Sequence, residues 1–203
     1  LKKACNSRNN QVKVSVPLPD GVLHATVWEL DVGRVPLYLL DANIPDNSPE
    51  LRKVSSHLYE VDKQLRLRQE LLLGIGGMRA LLALGYEPPV CHMNEGHAAF
   101  STIARVSHLM KDRGYSFEEA VEIARRTSVF TTHTPVPAGN ETFDLDLIRK
   151  HFDALKDDLG IDPQNMIGWG LPPGVKDGRE FTMTILGLRM ARFRNAVSEL
   201  HGK

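Results

Sequence analysis

The stretch Pro88-Pro89-Val90-Cys91-His92-Met93-Asn94-Glu95-Gly96-His97-Ala98-Ala99-Phe100 predicts a short buried strand, a tight turn and the start of a helix. The prolines end the preceding element, because proline lacks an N–H and restrains the residue before it. Val90 to Met93 is an apolar run of strand length. Asn94 is a favourable N-cap, and a carboxylate at Glu95 suits the positive end of a helix dipole. We therefore predict a helix from Glu95 to about Lys111.

Polar side chains cluster at this turn, where His92, Asn94, Glu95 and His97 lie within six residues. In open α/β sheets, ligands bind outside the carboxyl ends of the strands, which is where such a turn lies. The stretch therefore predicts a binding or catalytic site.

The composition limits the classes of function. The chain has 203 residues, with 25 basic and 25 acidic side chains and no formal net charge, which argues against a nucleic-acid partner. Two cysteines far apart in sequence do not form a disulfide framework and suit a reducing compartment. The chain has no apolar run of membrane-spanning length and no signal-peptide pattern. We expect a cytoplasmic protein with no membrane partner and, because the chain begins without Met, a piece of a larger one.

The N-terminal part predicts an antiparallel β-meander over about residues 11–41. Valines at positions 12, 14 and 16 alternate with polar residues, and turns at Asp20-Gly21 and at Gly33 separate three predicted strands. An α/β part is expected over about residues 58–203, starting with a buried helix from Asp62 to Leu84 that is interrupted by Gly74, Gly76 and Gly77. We interpret these glycines as packing positions, because a dinucleotide-binding fingerprint would follow a strand and open a helix.

A second strand–helix unit follows the first. Ser116 and Glu119 form a capping box, the helix that they start runs to about Arg126, and Ser128 to Thr132 predicts a strand that ends at His133. If the two strands are parallel, His133 and the turn at residues 92–97 lie on the same edge of one sheet. The C-terminal part predicts helices over 144–159, from Asp162-Pro163 onward, and over 182–200.

Three chemistries are compatible with these residues. A metal site at Cys91, His92, His97 and His133 is disfavoured, because adjacent strand residues point to opposite faces. A Cys91 nucleophile is disfavoured, since a thiol in an apolar strand stays protonated. Asparagine, glutamate and histidine suit carbohydrate hydroxyls or phosphate, but spacing alone leaves this reading open beside a purely structural turn.

Several motifs, taken in order, closely resemble the α-glucan phosphorylase family (glycogen or maltodextrin phosphorylase), in its shorter bacterial and archaeal branch. They are Val35-Pro36-Leu37-Tyr38-Leu39-Leu40-Asp41, Arg66-Leu67-Arg68-Gln69-Glu70, Gly74-Ile75-Gly76-Gly77, His92-Met93-Asn94-Glu95-Gly96-His97, Thr132-His133-Thr134-Pro135-Val136-Pro137-Ala138-Gly139-Asn140 and Asn195-Ala196-Val197-Ser198-Glu199-Leu200-His201-Gly202-Lys203. The resemblance covers most of residues 34–143 and again 181–203, and it is weak elsewhere.

The resemblance implies a pyridoxal-phosphate enzyme that cleaves α-1,4-glucan ends with inorganic phosphate and releases glucose 1-phosphate. It implies two Rossmann-like domains of the GT-B type, of which residues 1–203 form part of the first, N-terminal one. His133 would be catalytic and contact the sugar being transferred, and Asn94, Glu95, His97 and Thr134 would bind substrate. The Schiff-base lysine lies in the family's second half, so no cofactor-binding residue is expected in this chain and we predict that it is inactive alone.

The expected partners are the α-1,4-glucan and the second domain of the parent protein, which we expect to be a homo-oligomer. Two other functions stay open. A GT-B glucan synthase that uses a nucleotide sugar would share the architecture but not the cofactor lysine. A non-catalytic glucan-binding module would present exposed aromatic platforms, and an aromatic content of 6% argues mildly against it.

Overall fold

A computed structural model describes residues 1–58, 60–133, 141–175 and 178–198. The chain divides into two compact units, Leu1–Glu87 and Pro88–Lys203. No helix within the described ranges is both long enough and apolar enough to cross a lipid bilayer. The mixed α/β class that the sequence predicts is confirmed.

The elements of the first unit are four strands and two helices joined by a π-helical segment. They are β1 (Lys2–Lys3), β2 (Lys13–Leu18), β3 (Gly21–Val32), β4 (Val35–Asp41), a 3₁₀ turn (Leu51–Ser55), α1 (Lys63–Leu71), the π segment (Leu72–Gly76) and α2 (Gly77–Ala83). Strands β2, β3 and β4 pair antiparallel in sequence order, and β1 adds to β3.

Two contacts fix the helical segment of this unit. The Arg68 guanidinium donates from Nη2 to both carboxylate oxygens of Asp20, at 2.8 and 2.7 Å, which ties α1 to the β2–β3 turn. A Cβ added at Gly76 would lie 2.9 Å from Leu72 Cδ1 and 3.6 Å from Val14 Cγ2. Gly76 therefore permits close packing on β2, as the sequence suggests.

The second unit contains five strands and five helices among its described residues. They are β5 (Cys91–Asn94), a 3₁₀ turn (Gly96–Ala98), α3 (Phe100–Lys111), α4 (Phe117–Arg126), β6 (Ser128–Thr132), β7 (Thr142–Asp144), α5 (Leu145–Leu159), α6 (Pro163–Gly170), β8 (Glu180–Thr182), α7 (Met183–Arg189) and β9 (Phe193–Ala196). Strands β5, β6 and β9 form a parallel sheet in that order, and β7 pairs antiparallel with β8.

Side-chain caps start three helices of this unit where the sequence places them. Ser116 and Glu119 form the complete capping box of α4, and the carboxylates of Asp144 and Asp162 accept backbone N–H groups at the starts of α5 and α6. The core contains Phe100, Phe152 and Phe181, whose ring centroids lie 5.7 to 6.1 Å apart. These contacts hold α3 and α5 against the β7–β8 pair.

The predicted helix over 182–200 is wrong in its second half. The helix α7 ends at Arg189, and Phe193–Ala196 form β9, which pairs with β6 from Val129 to Thr132. The helical pattern places Phe193 and Val197 in the core, but they are 57% and 45% exposed. Pairing with a strand more than 60 residues away in sequence outweighs the local pattern, as tertiary context often does.

Candidate functional site

The carboxyl ends of three parallel strands meet at one edge of the sheet. Asn94, the last residue of β5, lies opposite Thr131 of β6, and Thr132 lies opposite Ala196 at the end of β9. The predicted parallel arrangement of the first two strands is therefore confirmed. It places the turn after β5 and the residue that follows β6, His133, side by side at this edge.

The centre of this edge is Glu95, which joins the two strand ends. Its backbone N–H donates to the Thr131 carbonyl at 3.0 Å. Its buried carboxylate oxygen Oε1 accepts the backbone N–H of His133, and the Thr132 hydroxyl lies 3.5 Å from the same oxygen. A carboxylate that accepts a backbone N–H forms a strong, charge-assisted hydrogen bond, so Glu95 holds the backbone at His133 in place.

The structure corrects the predicted helix start at Asn94 and Glu95. Asn94 belongs to β5, Glu95 has φ 67° and ψ −178°, and regular helix begins only at Phe100 after the 3₁₀ turn. That region of backbone space is essentially restricted to glycine and costs about 1–3 kcal/mol for other residues. Such strain persists where the surroundings enforce it, and it clusters at active sites and ligand clamps.

The residue after Glu95 fixes the turn from its other side. A Cβ added at Gly96 would lie 3.0 Å from Met183 Cβ, 3.1 Å from the Met183 carbonyl carbon and 3.1 Å from Thr184 N. The backbone of the turn therefore lies directly against the start of α7. Only glycine permits this approach without a shift of backbone atoms.

The remaining predicted site residues lie beside this centre. Asn94 and His133 are exposed at the strand ends, and His97 is half-buried in the 3₁₀ turn. The structure thus brings Glu95 into direct contact with the backbone of His133. Asn94 and His97 are neighbours of Glu95 in the sequence itself. Thr134 lies outside the described residues.

Sequence reasoning missed a polar row across the same sheet. His92 Nε2 lies 2.6 Å from Thr131 Oγ1, and the Thr131 hydroxyl donates to Asn195 Oδ1 at 2.7 Å. Because that hydroxyl gives its single proton to Asn195, it accepts from His92, which carries its proton on Nε2. The row shares the face of Asn94, since residues two apart in a strand point the same way. The sequence pattern predicts a helix at Asn195, so it does not reveal that this residue lies opposite Thr131 in the sheet.

Cys91 lies on the opposite face of β5 and is half-buried. Burial raises the pKa of its thiol, and the neighbouring Arg105 guanidinium opposes that shift only in part. Arg105 also donates to the carbonyls of Pro88, Pro89 and Thr127 at 3.1 to 3.2 Å, which fixes the entries to β5 and β6. A thiol that stays protonated is a poor nucleophile.

The donor set at the edge does not fit a pyridoxal-phosphate site. The described residues at the strand ends (91–99, 128–133 and 193–198) include no lysine that could form a Schiff base. Nor does any group of three or more histidine, cysteine, aspartate or glutamate side chains in the described ranges have the arrangement of a metal site. What the edge offers is an amide, imidazoles and a fixed backbone, which are donors and acceptors for hydroxyl groups.

Comparison with known proteins covers the whole chain. No family model matches it. It is 40% identical over 203 residues to a maltodextrin phosphorylase of Thermococcus litoralis, an alignment that covers all of this chain and 24% of that protein. It is 40% identical over 215 residues to a glycogen phosphorylase of Mycobacterium tuberculosis, covering all of this chain and 25% of that protein.

A weaker similarity extends to another enzyme. The chain is 30% identical over 118 residues to a glycogen synthase of Photobacterium profundum, covering 58% of this chain and 21% of that protein. The chain thus spans about a quarter of the length of these curated relatives. Over its full length it is similar to the phosphorylases, and on this evidence it belongs to the α-glucan phosphorylase family.

Proposed function

We propose that this chain forms one wall of the catalytic cleft of an enzyme that phosphorolyses α-1,4-glucans. Within that enzyme it would be part of the first Rossmann-like domain of a GT-B fold. The single observation that carries the proposal is the similarity of the whole chain to maltodextrin and glycogen phosphorylases at 40% identity. The part of the chain that we assign to this cleft is the edge of the β5–β6–β9 sheet, where Glu95 accepts the backbone N–H of His133.

The reaction breaks the bond between C1 of the terminal glucose and O4 of the next residue. A phosphate oxygen forms the new bond to C1, and O4 of the shortened glucan takes the proton that phosphate supplies. Positive charge develops on the transferred sugar ring in the transition state. Fixed dipoles and hydrogen-bond acceptors near that ring lower the barrier, provided that they need no reorganisation.

In this proposal His133 contacts the sugar being transferred, and Asn94, Glu95, His97 and Thr134 bind substrate hydroxyls. Glu95 has a second role, because its carboxylate fixes the His133 backbone. A position held by a buried charge-assisted hydrogen bond and a strained turn is more rigid than a free loop residue, which is what preorganised catalysis requires.

Pyridoxal phosphate and inorganic phosphate are the proposed cofactor and co-substrate of the parent enzyme. Since the strand-end residues here do not suit the cofactor, it would be held by residues outside this chain, in the second domain. We therefore propose that the 203-residue chain is inactive alone.

A glucan synthase is the second candidate, and the similarity to a glycogen synthase over 118 residues favours it specifically. The two candidates differ in the donor of the glucosyl group. A phosphorylase would transfer glucose between a glucan and inorganic phosphate, whereas a synthase would take glucose from a nucleotide sugar.

The test uses the gene product that contains this chain, beside the 203-residue chain itself. The measurements are the pyridoxal absorbance, glucose 1-phosphate release from maltoheptaose and phosphate, and glucan extension from a nucleotide sugar. The proposal expects pyridoxal absorbance and phosphorolysis in the gene product and neither in the 203-residue chain. Extension from the nucleotide sugar without phosphorolysis would establish the synthase. Glucan binding without either reaction would leave only a binding module.

A further inference from the structure

A cavity of about 460 Å³ lies in the second unit, away from the candidate site. It is lined by Glu122, Arg125, Arg126, Arg192, Phe193 and Arg194. Glu122, Arg125 and Arg126 lie in the second half of α4, which precedes β6. Arg192 immediately precedes β9, and Phe193 and Arg194 are the first two residues of that strand. The cavity therefore lies at the amino-terminal edge of the parallel sheet. The edge that carries Glu95 and His133 is the opposite end of the same strands.

Positive charge is concentrated in this cavity, although the whole chain has no formal net charge. Four guanidinium groups, which stay protonated at all physiological pH values, face one carboxylate. That carboxylate, Glu122, pairs with Arg126 at 2.6 Å and more loosely with Arg125 at 3.9 Å. Among the described residues, the side chains of Arg192 and Arg194 form no direct ion pair, although the charge of Arg192 also acts on Glu122. The lining carries four guanidinium groups and one carboxylate, an excess of three positive charges.

Backbone contacts hold the arginines in place. Arg125 Nε donates to the Arg189 carbonyl at 3.0 Å, and Arg194 Nε donates to the Ala191 carbonyl at 3.0 Å. The Arg192 backbone N–H donates to the Arg125 carbonyl at 2.9 Å, which joins the end of α4 to the start of β9. Because the two Nε groups are engaged, the terminal Nη groups of Arg125 and Arg194 are presented on fixed stems.

The dipole of α4 explains the placement of only two of the four arginines. Arg125 and Arg126 lie in the last turn of α4, where cations complement the negative end of a helix dipole. Arg192 and Arg194 lie just before and within β9, where the dipole of α4 does not explain their placement. Phe193, between them, leaves 57% of its surface exposed.

We propose that this cavity binds a small anion that carries at least two phosphate groups. Guanidinium forks match phosphate oxygens in pairs, and a lining with three excess positive charges suits a multivalent anion better than a monovalent one. The volume lies within the range of about 300–1,000 Å³ that is common for small-molecule sites. The inference is independent of the proposed function, since none of the residues proposed to bind or transfer the sugar lines the cavity.

The test is calorimetric titration of the 203-residue chain with inorganic pyrophosphate at low ionic strength. The double variant Arg192→Ala/Arg194→Ala removes two charges from the cavity. The matched control Arg8→Ala/Arg149→Ala removes two exposed arginines elsewhere and leaves the net charge the same as in the first variant. Circular dichroism checks that both variants keep the native fold.

The proposal expects saturable pyrophosphate binding that weakens about tenfold or more in the cavity variant and little in the control. Orthophosphate should bind more weakly than pyrophosphate. Absence of saturable binding to the native chain, or an equal loss in both double variants, would overturn the site. Orthophosphate binding as tight as that of pyrophosphate would overturn the assignment to a ligand with two phosphate groups.

Discussion

Replacing Glu95 separates the strain of its backbone from the hydrogen bond of its side chain. At φ 67° and ψ −178° a residue with a side chain costs about 1–3 kcal/mol that glycine does not. Glycine in turn loses about 0.5–1 kcal/mol relative to alanine through its greater freedom in the unfolded chain. Glu95→Gly should therefore be more stable than Glu95→Ala by about 1 kcal/mol, and by at most about 2.5 kcal/mol, after both have lost the carboxylate.

The loss of the carboxylate sets the second magnitude. The His133 backbone N–H would be left without its charged acceptor, and a hydrogen bond to a charged group contributes about 1.5–3 kcal/mol to stability. Glu95→Ala should therefore lower the free energy of unfolding by that amount, so that this variant unfolds at a lower urea concentration than the native chain. Glu95→Gly should be close to the native chain, because the relief of strain offsets most of the loss.

The assay is urea denaturation followed by the fluorescence of Trp169, in a Trp28→Phe background. Trp169 lies in the second unit and stacks on Phe117 at a centroid distance of 6.0 Å, so its signal reports on that unit. Asn94→Ala and Asn94→Gly serve as controls, since Asn94 has an ordinary strand conformation and alanine should be the more stable there. An alanine variant at position 95 as stable as the glycine variant, or more stable, would refute the reasoning.

Three further predictions concern the second unit and the cysteines. Gly170→Ala should destabilise the unit by about 1–3 kcal/mol in urea denaturation, because its Cβ would lie 2.2 Å from a buried phenylalanine ring. Gly168→Ala, in the same helix, is the control: its Cβ would meet nothing within 4 Å, so this variant should be slightly more stable than the native chain. Ser116→Ala should cost about 1 kcal/mol in the same assay through loss of the capping box. Burial raises the pKa of the Cys91 thiol, so alkylation followed by mass spectrometry should label the exposed Cys5 first. Labelling of Cys91 should become faster as the pH rises. Preferential labelling of Cys91 at neutral pH would contradict this prediction.

Local signals predict much of the second unit correctly. The capping box at Ser116, the helix starts at Asp144 and Asp162 and the strand at residues 128–132 appear where the sequence places them. Each depends on a side chain that satisfies a neighbouring backbone group or on a short apolar run, and such signals can be read from a few residues.

The errors have a different physical origin. Glu95 is a residue type that normally avoids positive φ, so no local rule places it in a glycine-like conformation. Strand β9 exists because Phe193–Ala196 pair with β6, a contact between distant segments that local periodicity cannot reveal. Both errors lie at the candidate site or beside it, where local preference is most often overruled.

The site residues themselves depend on two kinds of inference. The convergence of the two strand ends follows from the parallel arrangement, which apolar runs and turns predict. The assignment of His133 to the transferred sugar comes from the family resemblance, since an exposed histidine at a strand end has no distinctive pattern. Asn195 and the polar row with His92 needed the three-dimensional register of the sheet.

The most direct test of the account is the phosphorolysis rate of His133→Ala in the gene product that contains this chain. The account predicts a fall in kcat of about 10²-fold or more, with a smaller change in KM and unchanged pyridoxal absorbance, because the lost contact acts mainly in the transition state. His57→Ala, at an exposed histidine in the first unit, should keep the native rate. A His133→Ala enzyme as active as the His57→Ala enzyme would contradict the account.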